Sequence, residues 1–261
     1  DGVIADFRIT EILLTHFINK LNLKGIFARP TILICCPSNI TSIEKSAIRD
    51  VAERCGAKKV FIEEEPKVAA IGAGLEINKP TGNMVIDIGG TTDIAVLSLG
   101  DIVTSSSLKI AGDVMDADII KFVKDKYKLL IGDRTAEQIK LEIGSAVKGS
   151  SDKTFEVRGR DLVTGLPHTI TITSNETELA LRETCATIVK ETKHVLEQTP
   201  PELAADIVSR GIFLTGGGAL LTGLDRLLES ELNVPVFVAD DALNCVANGC
   251  GVMLENLHYM K

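Results

Sequence analysis

The sequence has little aromatic surface and no excess of positive charge. It contains no tryptophan and only two tyrosines, and its 28 lysine and arginine residues are outnumbered by 36 aspartate and glutamate residues. Because proteins neutralise nucleic-acid phosphates with clustered cations, the net charge of −8 argues against a nucleic-acid partner. No apolar run approaches the roughly 18 to 20 residues that cross a bilayer, so we expect a soluble protein.

Six cysteines and four histidines are present, but none is spaced as a metal site or a redox motif. No CxxC, HxxxH or HExxH pattern occurs, so a zinc site is not predicted. Most of the cysteines lie inside apolar runs, where thiols act as small hydrophobic side chains, and we expect no disulfide framework in a chain of this length. The sequence therefore indicates a reducing cytoplasm.

Short β-branched runs alternate with amphipathic segments along most of the chain. The runs predict buried strands at 31–37, 60–63, 84–88, 93–99, 211–215 and 234–239. Thr41 and Glu44 have the spacing of a capping box before a helix that extends to Cys55, and a long helix is predicted over 175–198. Alternating strands and crossover helices are typical of an α/β fold with a mainly parallel sheet.

Residues 114–173 have a different pattern. Two amphipathic helices are predicted at 115–127 and 135–147, followed by strands at 154–163 and 169–173 around a Thr-Gly-Leu-Pro turn. This segment predicts a small α+β insertion with its own core.

A glycine-containing turn joins two predicted strands at 87–93, where the sequence is DIGGTTD. Glycine allows backbone N–H groups to approach a ligand closely, and two threonine hydroxyls follow, so this turn can bind phosphate. Asp87 at the strand end can hold a Mg²⁺-bound water, because Mg²⁺ prefers oxygen ligands and retains several waters. Taken alone, the same turn fits a plain β-hairpin equally well.

A second glycine turn follows the strand predicted at 211–215. The segment LTGGGALLTGL at 214–224 leads into a helix predicted from Ala219 to about Glu231. A helix N-terminus after a glycine loop suits an anion or a nucleotide, because its first N–H groups are unpaired. The P-loop pattern GxxxxGK[ST] is absent, and a tight strand-to-helix turn is the alternative.

Three glutamates end the strand predicted at 60–63, and Pro66 begins a helix of small residues. Acidic residues before a helix complement its dipole, which accounts for Glu63 and Glu64. Glu65 lies at the strand tip, where a carboxylate facing a phosphate cleft can orient or deprotonate a water. The helix at 69–74 is nearly all alanine and glycine, so another element must pack closely against it.

The order of these motifs resembles the actin, Hsp70 and sugar-kinase ATPase superfamily, and the intervening sequence is similar to the MreB/Mbl family of bacterial actins. The resemblance covers essentially the whole chain. Its most specific segments are DGVIADF at 1–7, IGDRTAE at 131–137, VRGRDLVTGLP at 157–167, EQTPPELAADI at 197–207 and CVANGCG at 245–251. It implies an actin-like (ribonuclease H-like) α/β ATPase fold.

The resemblance also implies a role for each matched residue. Glu65 is expected to be the catalytic glutamate that positions the attacking water, and Asp87 to organise Mg²⁺ through a bound water. Glu137 and Lys140, one helical turn apart, are expected at the ribose and adenine, although such a pair alone is usually a solvated salt bridge. Two further sets are expected to contact the nucleotide: Gly89, Gly90, Thr91 and Thr92 at the β- and γ-phosphates, and Gly216, Gly217, Gly218 and Ala219 at the adenosine.

Two departures from the family pattern bear on hydrolysis. The turn at 87–93 has two glycines where the family has three, which changes the N–H groups that point inward. In the family, a D-x-G-T-x-N phosphate-1 loop, a glycine turn of the kind that cradles phosphate, lies about 70 to 80 residues before DGVIADF. Since DGVIADF stands here at residues 1–7, this sequence does not contain that loop. We therefore expect an N-terminally truncated family member, in which hydrolysis is impaired if the chain is whole.

By resemblance, residues 1–82 are the remainder of subdomain IA, 83–113 and 174–244 form subdomain IIA, 114–173 form the IIB insertion, and 245–261 form a C-terminal helix returning to IA. A loop at 21–30 carries Ile26 and Phe27 among basic residues, and such an apolar tip can insert into an anionic leaflet. From the residues alone, burial of both beneath the next strand is the better interpretation. The resemblance favours membrane attachment, because MreB proteins use an apolar dipeptide there.

The function implied is that of a bacterial actin that binds ATP and Mg²⁺ and assembles with itself into filaments. These filaments would lie on the anionic inner face of the plasma membrane, direct the cell-wall elongation machinery and maintain rod shape, with slow ATP hydrolysis coupled to polymerisation. The alternative is a non-hydrolysing scaffold paralogue or inactive fragment that assembles without nucleotide turnover. An Hsp70-type chaperone ATPase and a sugar kinase are weaker alternatives, the latter because the insertion at 114–173 resembles bacterial actin.

Overall fold

A computed structural model describes residues 6–20 and 29–256, in which helices and strands alternate. In chain order the elements are α1 (Phe7–Lys20), β1 (Thr31–Cys36), α2 (Ser42–Arg54), β2 (Lys59–Glu64), α3 (Glu65–Gly72), β3 (Asn83–Ile88), β4 (Thr92–Ser98), β5 (Asp101–Leu108), α4 (Gly112–Tyr127), β6 (Leu129–Leu130), α5 (Asp133–Ile143), β7 (Thr154–Asp161), β8 (Pro167–Thr173), α6 (Ser174–Gln198), α7 (Pro201–Arg210), β9 (Ile212–Thr215), a 3-10 turn (Gly217–Leu220), α8 (Leu224–Leu232), β10 (Val236–Val238), a second 3-10 turn (Ala242–Asn244) and α9 (Cys245–Glu255).

The central sheet has five strands in the order β10-β9-β3-β4-β5. β10, β9 and β3 run parallel, whereas β4 and β5 are each antiparallel to the preceding strand. The α/β class is confirmed, but the expectation of a mainly parallel sheet is wrong, because the short turn at 87–93 allows only an antiparallel pair. The sequence did not predict β5, since exposed and half-buried positions alternate along its serine-rich residues.

β3 and β4 are buried on both faces and separate two apolar cores. Successive side chains of a strand point to opposite faces, so neighbouring residues enter different cores. Ile86 and Ile88 enter the larger core with side chains of α4, α5, α6 and α8, whereas Val85 enters the smaller core with side chains of α3 and α9. Burial on both sides fixes the end of β3, where the turn at 87–93 begins.

α3 and α9 pack with almost no side-chain volume between them. A Cβ on Gly72 would lie 1.8 Å from the carbonyl oxygen of Cys245, and one on Gly249 would lie 2.0 Å from the carbonyl oxygen of Val68. The prediction that an element packs closely against the small residues at 69–74 is confirmed. The contact holds α3, and with it Glu65 at its first position, against α9.

β1 and β2 form a separate parallel pair, connected by α2. The capping box of α2 is confirmed, since the Thr41 side chain accepts from the Glu44 N–H and the Glu44 carboxylate accepts from the Thr41 N–H. α1 was not predicted, and none of its residues is buried.

Strands β6, β7 and β8 form an antiparallel three-stranded sheet within the segment predicted as an insertion. The hairpin of β7 and β8 is confirmed, although β7 ends at Asp161 and β8 already begins at Pro167. The subdomain boundaries at residues 82, 113, 173 and 244 stay predictions.

Two helix predictions need correction. The helix predicted over 219–231 is broken, because Gly223, with φ of +80°, separates the 3-10 turn from α8. The helix predicted over 135–147 ends at Ile143, where Gly144 leaves the helical conformation. The end of the long helix at Gln198 is confirmed, and α7, which was not predicted, begins at Pro201, where proline is favoured. Within the described ranges, no helix is both long and apolar enough to span a bilayer.

Candidate functional site

A cavity of about 410 Å³ opens where β3 and β9 end. The two strands are parallel neighbours, so the turns that follow them, at Gly89 and Gly217, meet at one edge of the sheet. Ligands of α/β proteins bind at this edge, outside the carboxyl ends of the strands. The first turn of α4 and one face of α5 complete the walls. Four elements distant in sequence therefore converge on one cavity.

The glycine turn after β9 packs directly on the end of β3. A Cβ on Gly216, whose φ is +79°, would lie 2.4 Å from the Ile88 carbonyl oxygen, and one on Gly218 would lie 2.2 Å from Ile88 Cγ2. Gly217 and Gly218 line the cavity. Of the four residues expected at the adenosine, the structure thus brings these two to the wall, while Gly216 and the buried Ala219 support the turn from behind.

α5 presents Glu137 and Lys140 to the same cavity. Lys140 Nζ lies 2.9 Å from the Asp116 carboxylate and donates to the Gly112 carbonyl oxygen at 2.9 Å. The two charged side chains are only 16 % and 13 % exposed, so this is a shielded ion pair between α4 and α5, in contrast to the solvated salt bridge that spacing alone suggests. Burial raises the pKa of Asp116, and the bonds to Lys140 oppose that rise.

Gly89 and Gly90 form the open part of the turn between β3 and β4. Both are exposed, and a Cβ on either would meet nothing within 4 Å. Packing within the described part of the chain therefore leaves free space beside their backbone, as close approach of a ligand requires.

The rest of this turn is closed by its own hydrogen bonds. The Gly89 N–H donates to the Thr91 carbonyl oxygen at 2.9 Å. Thr91 Oγ1 donates to Asp93 at 2.6 Å, and Thr92 Oγ1 donates to the Ile110 carbonyl oxygen at 2.5 Å. Both hydroxyl protons are thus used within the protein, and the hydroxyl oxygens retain only acceptor capacity.

Three carboxylates crowd behind the turn: Glu65 at the start of α3, Asp87 on β3 and Asp93 directly opposite Asp87 on β4. Asp87 accepts a hydrogen bond from Thr215 Oγ1 at 2.8 Å. Burial, followed by the charges of Asp93 and Asp87, raises the pKa of Glu65 to about 7. Burial, opposed by the bond from Thr215 and reinforced by the charge of Asp93, raises the pKa of Asp87 to about 6.

A cation would relieve this crowding of negative charge. In residues 6–20 and 29–256, no group of three or more His, Cys, Asp or Glu side chains is placed to hold a metal ion. Mg²⁺ prefers oxygen ligands and dehydrates reluctantly, so these carboxylates fit an ion that keeps most of its water shell and takes other oxygen ligands from a phosphate. Asp87, a buried carboxylate that accepts a hydrogen bond from Thr215, is the side chain suited to hold such a water.

Sequence reasoning missed three residues of the site. Asp93 closes the DIGGTTD segment, and its position opposite Asp87 across a short hairpin was the available signal. Gly112 begins α4 and lines the cavity, and the Ala111-Gly112-Asp113 segment that contains it was the available signal. Asp116 carried no signal, since its pairing with Lys140 depends on how α4 and α5 pack. Ile26 and Phe27, the expected membrane residues, lie outside the described residues.

Solved structures define the class of protein. MreB5 of Spiroplasma citri bound to AMPPNP superposes with a TM-score of 0.94 at 42 % identity, covering 99 % of this chain and 78 % of that chain. The MamK double helical filament, at 20 % identity and a TM-score of 0.84, shares the fold. The actin-like α/β fold predicted from the sequence is confirmed.

Curated relatives define the family. The family described as MreB/Mbl protein matches residues 1–261. The cell shape-determining protein Mbl of Bacillus cereus is 62 % identical over 258 residues, which cover 98 % of this chain and 78 % of the relative. The cell shape-determining protein MreB of Escherichia coli is 52 % identical over 258 residues and is covered to 74 %. The chain belongs to the MreB/Mbl family of actin-like, cell shape-determining proteins.

Proposed function

We propose that this chain binds ATP in the cavity between α4, α5 and the two glycine turns. The observation that carries the proposal is the convergence of Gly89, Gly217 and Gly218 on a cavity that also receives Glu137 and Lys140. Its volume of about 410 Å³ lies in the range of small-molecule sites. The relative MreB5 was crystallised with AMPPNP and with ADP, which supports the same ligand class here.

The adenosine would occupy the side lined by Gly217, Gly218, Glu137 and Lys140. The phosphates would lie against Gly89 and Gly90, where no side chain blocks the backbone, and near the N-terminus of α4, whose positive dipole end favours anions. Asp87 would hold Mg²⁺ through a water, and the ion would supply neutralisation of phosphate charge.

Glu65 is the residue suited to hold or accept a proton from the attacking water. Its pKa of about 7 lies where a general base works best, because a neutral fraction and an ionised fraction are both present near pH 7. The close packing of α3 against α9 fixes the backbone position of Glu65 at the first residue of α3.

A non-hydrolysing scaffold is the second candidate, and the turn between β3 and β4 favours it. The Gly89 N–H is already used by the Thr91 carbonyl oxygen, and both threonine hydroxyl protons are used within the protein. Fewer donors are therefore left for the β- and γ-phosphates than the turn composition suggests. Phosphate release from ATP, measured for the unchanged chain and for Glu65→Gln, separates the two candidates. Faster release by the unchanged chain supports the hydrolysing protein, and equal release supports the scaffold.

In the cell, the chain would assemble into filaments at the cytoplasmic face of the plasma membrane and direct cell-wall synthesis to maintain rod shape. The support is the cell-shape role named for its Mbl and MreB relatives and the filament named for MamK. Ile26 and Phe27 would provide the membrane contact, and anionic lipid the membrane surface.

Nucleotide titration followed by thermal unfolding tests the binding proposal. At a hundredfold excess over Kd, ATP should add about 2.7 kcal/mol of stability, or about 5 to 10 °C in Tm.

Gly89→Ala places a methyl group in the phosphate space and should weaken ATP binding at least tenfold. Gly251→Ala is the matched control, because its Cβ also meets nothing within 4 Å but lies on α9 outside the cavity. Equal binding by the two variants, or no Tm shift with the unchanged chain, would contradict the proposal.

A further inference from the structure

Two cysteines far apart in sequence lie side by side near Glu65. Cys35 on β1 and Cys250 on α9 are separated by 215 residues, and their Sγ atoms are 3.3 Å apart. Both pack against the smaller core, and both are only partly buried, so small oxidants can reach them. A disulfide has an S–S distance of about 2.05 Å, so the two sulfur atoms need to approach by little more than 1 Å.

The two thiols are chemically different. The hydrogen bond between them, with burial and the nearby charge of Glu65, raises the pKa of Cys35 far above its usual range. The same hydrogen bond lowers the pKa of Cys250. Because the thiolate is the reactive form and the charge of Glu65 disfavours the thiolate of Cys35, Cys250 is the side chain that reacts first and Cys35 the one that resolves the product.

Three of the four remaining cysteines have other hydrogen-bond partners, and Cys185 is buried in the larger core. Cys36 Sγ points to the other face of β1 and donates to the Glu63 carbonyl oxygen at 3.5 Å, and Cys245 Sγ donates to the Asp241 carbonyl oxygen at 3.4 Å. Cys55 contacts Thr15 Oγ1 and the Glu11 carbonyl oxygen. Within the described residues, only Cys35 and Cys250 have their sulfur atoms at hydrogen-bonding distance from one another.

We propose that Cys35 and Cys250 form a redox modification site that a hydroperoxide converts to an intramolecular disulfide. The Cys250 thiolate attacks the peroxide, so that an S–O bond forms, the O–O bond breaks, and the leaving oxygen takes up a proton. Cys35 then attacks Cys250 Sγ, the S–S bond forms, the S–O bond breaks, and hydroxide leaves with the Cys35 proton as water. The two thiols are oxidised by two electrons, and hydrogen peroxide is reduced to two waters.

The disulfide would join β1 to α9, and both elements contact α3. It therefore fixes the surroundings of Glu65 covalently and closes a loop of more than 200 residues, which constrains the unfolded chain strongly. The inference is independent of nucleotide binding, and its test uses none.

The test treats the 261-residue chain with hydrogen peroxide and follows thiol content, intact mass, non-reducing peptide maps and Tm. We expect two of six thiols to be lost, one peptide linking Cys35 to Cys250, and a Tm increase of about 5 to 10 °C that dithiothreitol reverses. Cys55→Ser is the matched control and should behave like the unchanged chain.

Single variants of the pair separate its two roles. In Cys35→Ser, Cys250 should accumulate as a sulfenic acid that dimedone traps, whereas Cys250→Ser should resist oxidation at Cys35. Dimedone labelling reads chemistry directly and does not depend on a change in stability. The proposal is overturned if the peptide map of the unchanged chain lacks the Cys35–Cys250 link, or if Cys35→Ser traps no more dimedone than Cys55→Ser.

Discussion

The two sides of the site differ in how their charges are compensated. On the cavity side, the Lys140 ammonium is matched by Asp116, and glycines leave open space. On the carboxylate side, Glu65, Asp87 and Asp93 are packed together, and the bonds described for them come from hydroxyl and backbone donors. Under the proposed function, the first side would take the neutral nucleoside, whereas the second would need a cation before it could accept phosphates. This difference predicts that metal and nucleotide bind cooperatively.

The largest expected effect on stability comes from Gly216→Ala, which disturbs the packing of the turn after β9 on the end of β3. Gly216→Ala forces a side chain into a left-handed conformation and against the Ile88 carbonyl oxygen, 2.4 Å from the ideal Cβ position. Strain and overpacking together should lower the free energy of unfolding by about 3 kcal/mol, measured by urea denaturation. Gly217→Ala is the control, because its Cβ meets only a Leu243 side-chain atom at 3.3 Å. Equal losses in both variants would show that the turn does not couple the two sides through Ile88.

Removing the cation of the Lys140–Asp116 pair on the cavity side should lower the free energy of unfolding by an intermediate amount. Lys140→Met leaves the Asp116 carboxylate shielded from solvent without its cation, and should cost about 2 kcal/mol at neutral pH. The loss should shrink in acid, where Asp116 is protonated. Lys140→Met with Asp116→Asn should recover most of it, and a double-mutant cycle by urea denaturation measures the coupling. Additive losses of stability in the double-mutant cycle would show that Lys140 and Asp116 are not energetically coupled.

On the carboxylate side, removing a charge should stabilise the folded chain, whereas on the cavity side it should destabilise it. The folded pKa of Glu65, about 7, lies above its ordinary value of 4.5, so the folded chain holds this proton more tightly than the unfolded chain. Its contribution to stability is therefore greatest below pH 4.5 and declines as pH rises from about 4.5 to 7.

Glu65→Gln removes this decline and should stabilise the metal-free chain at pH 8 by about 1 to 2 kcal/mol, after a discount for partial exposure. Urea denaturation between pH 5 and pH 8 measures it, and Glu63→Gln is the control, since Glu63 pairs with Lys67 outside the carboxylate cluster. A stability gain for Glu65→Gln that does not depend on pH would point away from charge crowding.

Local sequence signals predicted much of the fold and the residues on short turns. Glu65, Asp87, Gly89 and Gly217 were predicted as site residues because each lies at or just after the end of a clear strand, where glycine or an acidic residue has a local meaning. The close packing of α3 was predicted from its alanines and glycines, since small residues on a helix imply a near neighbour.

Features that depend on tertiary contact carried no such signal. Lys140 and Asp116 lie on two helices, and their pairing follows from how those helices pack. Cys35 and Cys250 are 215 residues apart, and nothing local distinguishes them from the other cysteines. β5 was missed because its polar edge sequence has no run of apolar residues.

Calorimetric titration of ATP into the chain, once with Mg²⁺ and once with EDTA, tests whether metal and nucleotide bind cooperatively. We expect binding in Mg²⁺ that weakens at least tenfold in EDTA, because the crowded carboxylates then repel the phosphates. Equal ATP affinity in the two conditions, or no binding in either, would contradict it.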